Sequence, residues 1–450
     1  MEQLDRLMGK IAAYGPRSCV ESDREIYTYA QLLEAIDQWK ARFDILNITQ
    51  GTVVGVRTNY SLQGVAALLA LFVRRAVAAL IPQGGDLARY LSDAYAVALL
   101  ELRVNGEYEW TPNTQLASHP LIERLRISKD GGVIIFSSGS SGRPKAALQS
   151  VERLLCKFSK ASRQFRTLAF LAFDHIAGLD TLFYALASGG TLILTDRRDP
   201  VTILRVVETY KVEVLPVSPS FLRMLCATRD LGSFNLASLR VITYGSEPMD
   251  PTTLARINGI FRGVQICQKY GTTETGAPRS VSRGNDSLWL KFKQDGVETK
   301  IVDGVLWIRS ESAVLGYLNA PSPLDNDGWY CTGDLVDVEG EWVRFRGRAS
   351  DLINVGGEKV APTEVERTIF ELEFVHDVVV TGEPHTLLGT VVVARVVLAT
   401  GAVDHRDAMT RIRAHCRARL SPYKVPVRID VATEIFVTPR QKIERTPISE

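Results

Sequence analysis

Apolar residues recur along this chain in two rhythms. Short unbroken runs read as buried strands: Val53–Val56, Val133–Phe136, Thr191–Leu194, Val212–Pro216 and Leu239–Thr243. Between them, apolar positions fall three or four apart, as in Leu62, Val65, Leu69 and Phe72, or Leu179, Leu182, Phe183 and Leu186. That spacing puts them on one side of a helix. Strand and helix in alternation predict α/β layering around largely parallel sheet. After about residue 285 the rhythm changes to short strands broken by turn residues, Val302-Asp303-Gly304-Val305 and Val338-Glu339-Gly340-Glu341-Trp342. These predict an antiparallel or barrel-like part. From Gly347 on, a compact α/β unit of about 100 residues could stand alone. A boundary is expected between Arg348 and Leu352, giving domains 1–348 and 349–450.

Composition narrows the classes. The 450 residues exceed one ordinary core. Net charge is +2, which gives no electrostatic case for nucleic acid or an acidic membrane surface. No window approaches the roughly 18 uninterrupted apolar residues of a membrane span. Met1-Glu2-Gln3-Leu4-Asp5 lacks the basic start of a secretory leader. Cys19, Cys156, Cys226, Cys267, Cys331 and Cys416 form no C-x-x-C pair, which argues against zinc or a disulfide framework and suits a cytoplasmic protein.

The candidate chemistry begins at Phe136-Ser137-Ser138-Gly139-Ser140-Ser141-Gly142-Arg143-Pro144-Lys145. Hydroxyls, two glycines that let N–H groups converge, and a closing lysine make a phosphate cradle. It is not the P-loop, because no lysine directly follows the second glycine. A solvated Ser/Gly turn is the bland alternative.

The loop resembles that of the adenylate-forming superfamily: acyl- and aryl-CoA synthetases, peptide-synthetase adenylation domains and luciferases. Further motifs of that superfamily follow in its order, from Thr28-Tyr29-Ala30-Gln31-Leu32 to Thr438-Pro439-Arg440-Gln441-Lys442-Ile443-Glu444-Arg445. The resemblance implies a large N-terminal domain of several subdomains and a small mobile α/β C-terminal domain. It implies ATP and Mg²⁺, a small carboxylic acid substrate, and CoA or a carrier protein's phosphopantetheine as acyl acceptor.

Roles carry over residue by residue. In Phe173-Asp174-His175-Ile176-Ala177-Gly178, His175 would line the carboxylate pocket; a lone histidine is otherwise most often structural. Gly245, Ser246, Glu247 and Pro248 resemble the adenine-contacting loop. In Gln268-Lys269-Tyr270-Gly271-Thr272-Thr273-Glu274, Tyr270 would cover the adenine face, the threonine hydroxyls would reach the α-phosphate, and Glu274 would ligate magnesium. Asp334, in Thr332-Gly333-Asp334, would take the ribose hydroxyls with Arg348. Ser350 or Asp351 would be the hinge. Gly356 and Gly357 would line the pantetheine channel. Lys442 would reach the α-phosphate and carboxylate, although Gln441 stands where the superfamily has glycine. Arg74-Arg75 stands where relatives often carry small residues.

An acid–thiol ligase is the expected function. An adenylate former that passes its acyl group to an amine, or stands alone, is the near alternative. A kinase or nucleotidase would release ADP or phosphate instead of AMP and pyrophosphate, and a silent nucleotide binder would release neither.

Overall fold

The β-branched runs pair side by side because both of their faces are covered. The computed structural model describes residues 2–433 except 104–105, 114–117, 138–142, 161–162, 229–230, 294–295, 387 and 400–403. Val53–Arg57, Val77–Leu80, Ala98–Leu102 and Gly132–Ser137 lie parallel, with Val53 opposite Val77, Val54 opposite Ala98 and Val77 opposite Gly132. Antiparallel strands flank them, Tyr108–Pro112 on one side and Lys145–Ser150 on the other. The helix Leu62–Val73, capped by Ser61, is apolar on every face save at Gln63 and is buried over most of its length. Arg74 ends it, donating from Nε to the Ile48 carbonyl at 2.7 Å and pairing with Asp44, so that arginine fastens a helix end.

A second sheet runs in the order Gln265–Gln268, Val241–Tyr244, Val214–Val217, Arg166–Leu168, Thr191–Ile193, Ser18–Glu21 and Ile26–Thr28. All but the last strand are parallel. The run Thr28-Tyr29-Ala30-Gln31-Leu32 begins the helix Tyr29–Ile45 as a capping box: Gln31 N–H donates to Thr28 Oγ1 at 3.2 Å, and Thr28 N–H to Gln31 Oε1 at 2.8 Å.

Two strands start later than their apolar runs suggest. Val212 donates its N–H to the Val207 carbonyl after Lys211 turns left-handed (φ 52°), and Leu239 donates to Leu236. Both are spent closing the preceding turn, so the ladders begin at Val214 and Val241.

The third sheet is antiparallel, in the order Ser280–Ser282, Leu290–Phe292, Trp342–Arg348, Tyr330–Glu339, Val305–Ser310 and Val297–Val302. Among the described residues its two end strands do not pair, so it is an open sheet where a barrel-like part was also expected. A fourth sheet, Ile353–Val355, Glu358–Val360, Gly389–Leu398, Val375–His385 and Arg428–Ala432, packs with the helices Pro362–Phe370 and His405–Arg419 around a core of its own that includes Val365, Ile369, Val396 and Ile412. The fold is therefore mixed α/β, with a large N-terminal part and a smaller C-terminal one.

Candidate active site

In parallel sheets, ligand sites form beyond the carboxyl ends of the strands. Here those ends deliver Ser218, the turn Gly245–Pro248 and the segment Lys269–Glu274 to one edge. Glycine at 245 is required by close approach: a Cβ there would lie 2.6 Å from the Lys269 carbonyl oxygen. Ser246 holds φ 71°, a conformation that disfavours a side chain. Glu247 stabilises the turn by accepting from the Ser220 hydroxyl at 2.6 Å and from its N–H at 3.2 Å.

Thr272 and Thr275 close the next turn on themselves. Thr275 N–H donates to Thr272 Oγ1 at 3.1 Å, and Thr272 N–H to the Gly276 carbonyl at 3.1 Å. Just before this turn, Tyr270 stacks on Phe345, with ring centres 4.5 Å apart and planes 10° from parallel. Phe345 thus takes one face of the ring. The Tyr270 phenol donates to Asp334 Oδ2 at 2.6 Å, and Arg348 Nε donates to Asp334 Oδ1 at 3.2 Å. The structure thus brings Tyr270, Asp334 and Arg348 into one cluster. Desolvation raises the pKa of the Asp334 carboxyl and of the Tyr270 phenol, and the neighbouring carboxylate adds to the phenol's shift.

Glu274 is buried, and Oε1 accepts from the Tyr317 phenol at 2.5 Å and from Ser137 Oγ at 3.4 Å. Desolvation and the Glu274 charge raise the phenols of Tyr317 and Tyr330. Ser137 and Lys145 are directly opposed in the hairpin of Gly132–Ser137 and Lys145–Ser150, and Lys145 Nζ stands 5.1 Å above the Tyr317 ring. Both ends of the serine-glycine loop therefore meet the environment of Glu274. Ser138, Gly139, Ser140, Ser141 and Gly142 lie outside the described residues. The Thr273 carbonyl accepts from the buried amide of Gln149.

Three of these partners escape sequence reading. Tyr317 arrives because Gly316–Tyr317 pairs with Lys145–Ser150, Tyr317 facing Ala147. Asn319 fixes the closing end of the loop, accepting from Ala146 N–H at 2.9 Å and donating to the Pro144 carbonyl at 2.9 Å. Gln149 sits on the same strand as Lys145. No motif spacing marks any of them; only sheet register does.

His175 caps the helix Ile176–Ser188, its Nδ1 accepting from Ala177 N–H at 3.2 Å. In the neutral ring the proton then belongs on Nε2. The helix approaches its entry loop closely, since a Cβ on Gly178 would lie 1.9 Å from the Ala172 carbonyl oxygen. Helix propensity alone favours alanine over glycine by about 0.5–1 kcal/mol. Overpacking against backbone costs more, about 1–3 kcal/mol or beyond. Gly178→Ala should therefore lower the thermal unfolding midpoint of the N-terminal part. An unchanged or raised midpoint would show that propensity wins and the contact does not matter.

Gly356 and Gly357, at φ 59° and 96°, form the two-residue turn between Ile353–Val355 and Glu358–Val360. Two positive φ values in succession suit a type I′ hairpin. A Cβ on Gly357 would meet nothing within 4 Å. Ser350 donates to Asp351 Oδ1 at 3.0 Å within the exposed turn Ala349–Asp351. Lys442 lies outside the described residues.

Among the described residues no three His, Cys, Asp or Glu side chains cluster as a metal cage. One buried carboxylate, Glu274, at the foot of a hydroxyl-rich loop fits magnesium better, because that ion keeps waters and takes phosphate oxygens as further ligands.

Residues 2–318 match the AMP-binding enzyme family, and residues 364–442 match the AMP-binding enzyme C-terminal domain. The chain belongs to the AMP-binding enzyme family. A 2-succinylbenzoate–CoA ligase of Listeria monocytogenes serotype 4b is 28% identical over 359 residues, covering 76% of this chain and 74% of that protein. Among solved structures, the anthranilate CoA ligase AuaEII in complex with anthranoyl-AMP superposes with a TM-score of 0.83 at 20% identity, over 98% of this chain and 95% of that one. The amide bond synthetase McbA from Marinactinospora thermotolerans gives 0.82 at 23% identity, over 99% and 98%.

Proposed function

We propose that this chain is an ATP-dependent acid–thiol ligase. A carboxylate oxygen of a small organic acid attacks the α-phosphorus of ATP. The bond to the bridging oxygen breaks, pyrophosphate leaves and an acyl-adenylate remains. A thiolate, from CoA or a carrier protein's phosphopantetheine, then attacks the acyl carbon; the carbon–oxygen bond breaks and AMP leaves. The observation that carries the reading is the convergence of three sheets on the segment Tyr270–Glu274: Ser137 and Lys145 at the ends of the serine-glycine loop beside Glu274, and Asp334 with Arg348 beside Tyr270.

Catalysis of this transfer is mostly positioning and charge neutralisation. Lys145 and the loop N–H groups would hold the phosphates. Thr272 and Thr273 would meet the α-phosphate, and Asp334 with Arg348 the ribose. The adenine would lie between Tyr270 and the turn Gly245–Pro248, and His175 would present its Nε2 side to the carboxylate. Magnesium bound beside Glu274 would supply neutralisation of the phosphate charge.

Domains 1–348 and 349–450 would rotate about Ser350 or Asp351, exchanging Lys442 for the Gly356–Gly357 turn, so one cleft serves both half-reactions and shields the adenylate from water. Six free cysteines, Cys331 exposed among them, fit a cytoplasmic setting. Among the described residues no helix is long and apolar enough to cross a membrane.

The test is ATP–pyrophosphate exchange over a panel of carboxylic acids, without and then with CoA. Acid-dependent exchange followed by CoA-dependent AMP release is expected. ADP release, or folded protein that exchanges with no acid, would sink the reading. Exchange with product only on adding an amine would select the alternative acceptor, with an amide bond formed as the name of the amide bond synthetase McbA describes.

The turn offers a sharper check. Gly357→Leu fills the open space beside the turn and strains a left-handed residue. Exchange should stay within about twofold while thioester formation falls at least about tenfold, the size of effect a small misplacement has on a positioned reaction. Equal rates in both assays would remove Gly357 from the channel.

A further inference from the structure

Beyond the site itself, one buried guanidinium joins the two parts of the molecule. Arg223, on the helix Pro219–Cys226, has a side chain only 8% exposed. Its Nη2 donates to Ser220 Oγ at 2.8 Å, and Ser220 in turn donates to Glu247 at 2.6 Å. Its Nε stands 3.3 Å from Asp377 Oδ1, on the strand Val375–His385 of the C-terminal sheet, and its Nη1 stands 3.9 Å from Asp250 Oδ2. The guanidinium also lies 5.3 Å from the Phe370 ring centre, on the helix Pro362–Phe370.

We infer that Arg223 is a positioning residue that couples the Gly245–Pro248 turn to the orientation of the C-terminal part. The inference rests on the proposed two-orientation reaction. One arm of Arg223 holds Ser220 and, through it, Glu247, the residue that follows left-handed Ser246 in the turn. The other arm crosses to Asp377. A displacement of the turn therefore moves the group that the C-terminal strand is paired with.

The junction is not fully satisfied, which is what an orientation that must be left requires. Among the described residues, Arg223 Nε and Asp250 Oδ2 are buried with no aligned hydrogen-bond partner. An unmade bond of this kind costs stability. Two aspartates share one guanidinium, and burial raises the Asp377 carboxyl above its usual range. Carrying Asp377 away from Arg223 would rehydrate it and offset part of the lost attraction.

The test compares full-length wild type with Asp377→Asn, which cuts only the inter-domain arm, and with Arg223→Met, which cuts both. Amide hydrogen exchange of ligand-free protein is read first. Asp377→Asn should raise exchange in residues 244–250 although it lies in the other part; unchanged exchange there overturns the inference. In the active enzyme, Asp377→Asn should keep the KM for ATP in pyrophosphate exchange within about twofold. It should change the ratio of exchange rate to thioester rate by about fivefold or more, the lower end of ordinary coupling between sites. A constant ratio overturns the inference. Arg223→Met should also raise the KM for ATP, and Arg223→Lys should restore KM better than the ratio, because an ammonium lacks the fork that reaches two partners. The ligand-free measurement judges Arg223 even if no acid supports exchange, an outcome that would defeat only the proposed function.

Discussion

Glu274→Gln should lower acid-dependent ATP–pyrophosphate exchange by about a hundredfold to a thousandfold, the usual cost of removing one preorganised charge from such a site. The substitution isolates charge from shape. Glutamine keeps an oxygen that can still accept from the Tyr317 phenol, now 2.5 Å from Glu274 Oε1. The buried environment therefore stays satisfied and the fold should hold. What disappears is the hard anionic oxygen offered to magnesium. The residual rate should accordingly need a higher Mg²⁺ concentration to reach half-maximum. A variant with wild-type rate and wild-type magnesium dependence would remove Glu274 from metal binding and leave it as a partner of Tyr317.

Lys442→Ala should separate the two half-reactions. Adenylate formation should fall by about a hundredfold or more, since a cation aimed at developing phosphate charge is lost. Thioester formation from supplied acyl-adenylate should stay within about threefold, because in the proposed cycle this lysine has left the cleft by then. Equal losses in both steps would mean that it does not exchange with the Gly356–Gly357 turn. Undiminished adenylation would end its assigned role.

Much of the scaffold was legible because it rests on local rules. Val53–Arg57, Gly132–Ser137 and Thr191–Ile193 stand where unbroken apolar runs placed them. The late starts at Val214 and Val241 were not legible: burial alone cannot distinguish a residue that closes a turn from one that opens a ladder, and Val212 is buried either way. At the site, Tyr270, Asp334, Arg348 and Glu274 lie in recognisable motifs. Tyr317, Asn319 and Gln149 do not. Their importance comes from the antiparallel register of Gly316–Tyr317 against Lys145–Ser150, a relation across some 170 residues that no short spacing encodes. Arg223 was hidden for a similar reason: its partner Asp377 belongs to another sheet.

The three phenols give the site an acid–base character of its own. Tyr270, Tyr317 and Tyr330 all have pKa values raised by desolvation and by nearby carboxylates. They therefore remain neutral donors well into alkaline solution, and no tyrosinate forms to repel the triphosphate. Rising pH therefore adds no early phenolate charge at these three positions. An alkaline decline in rate would then report the titration of some group other than these three phenols.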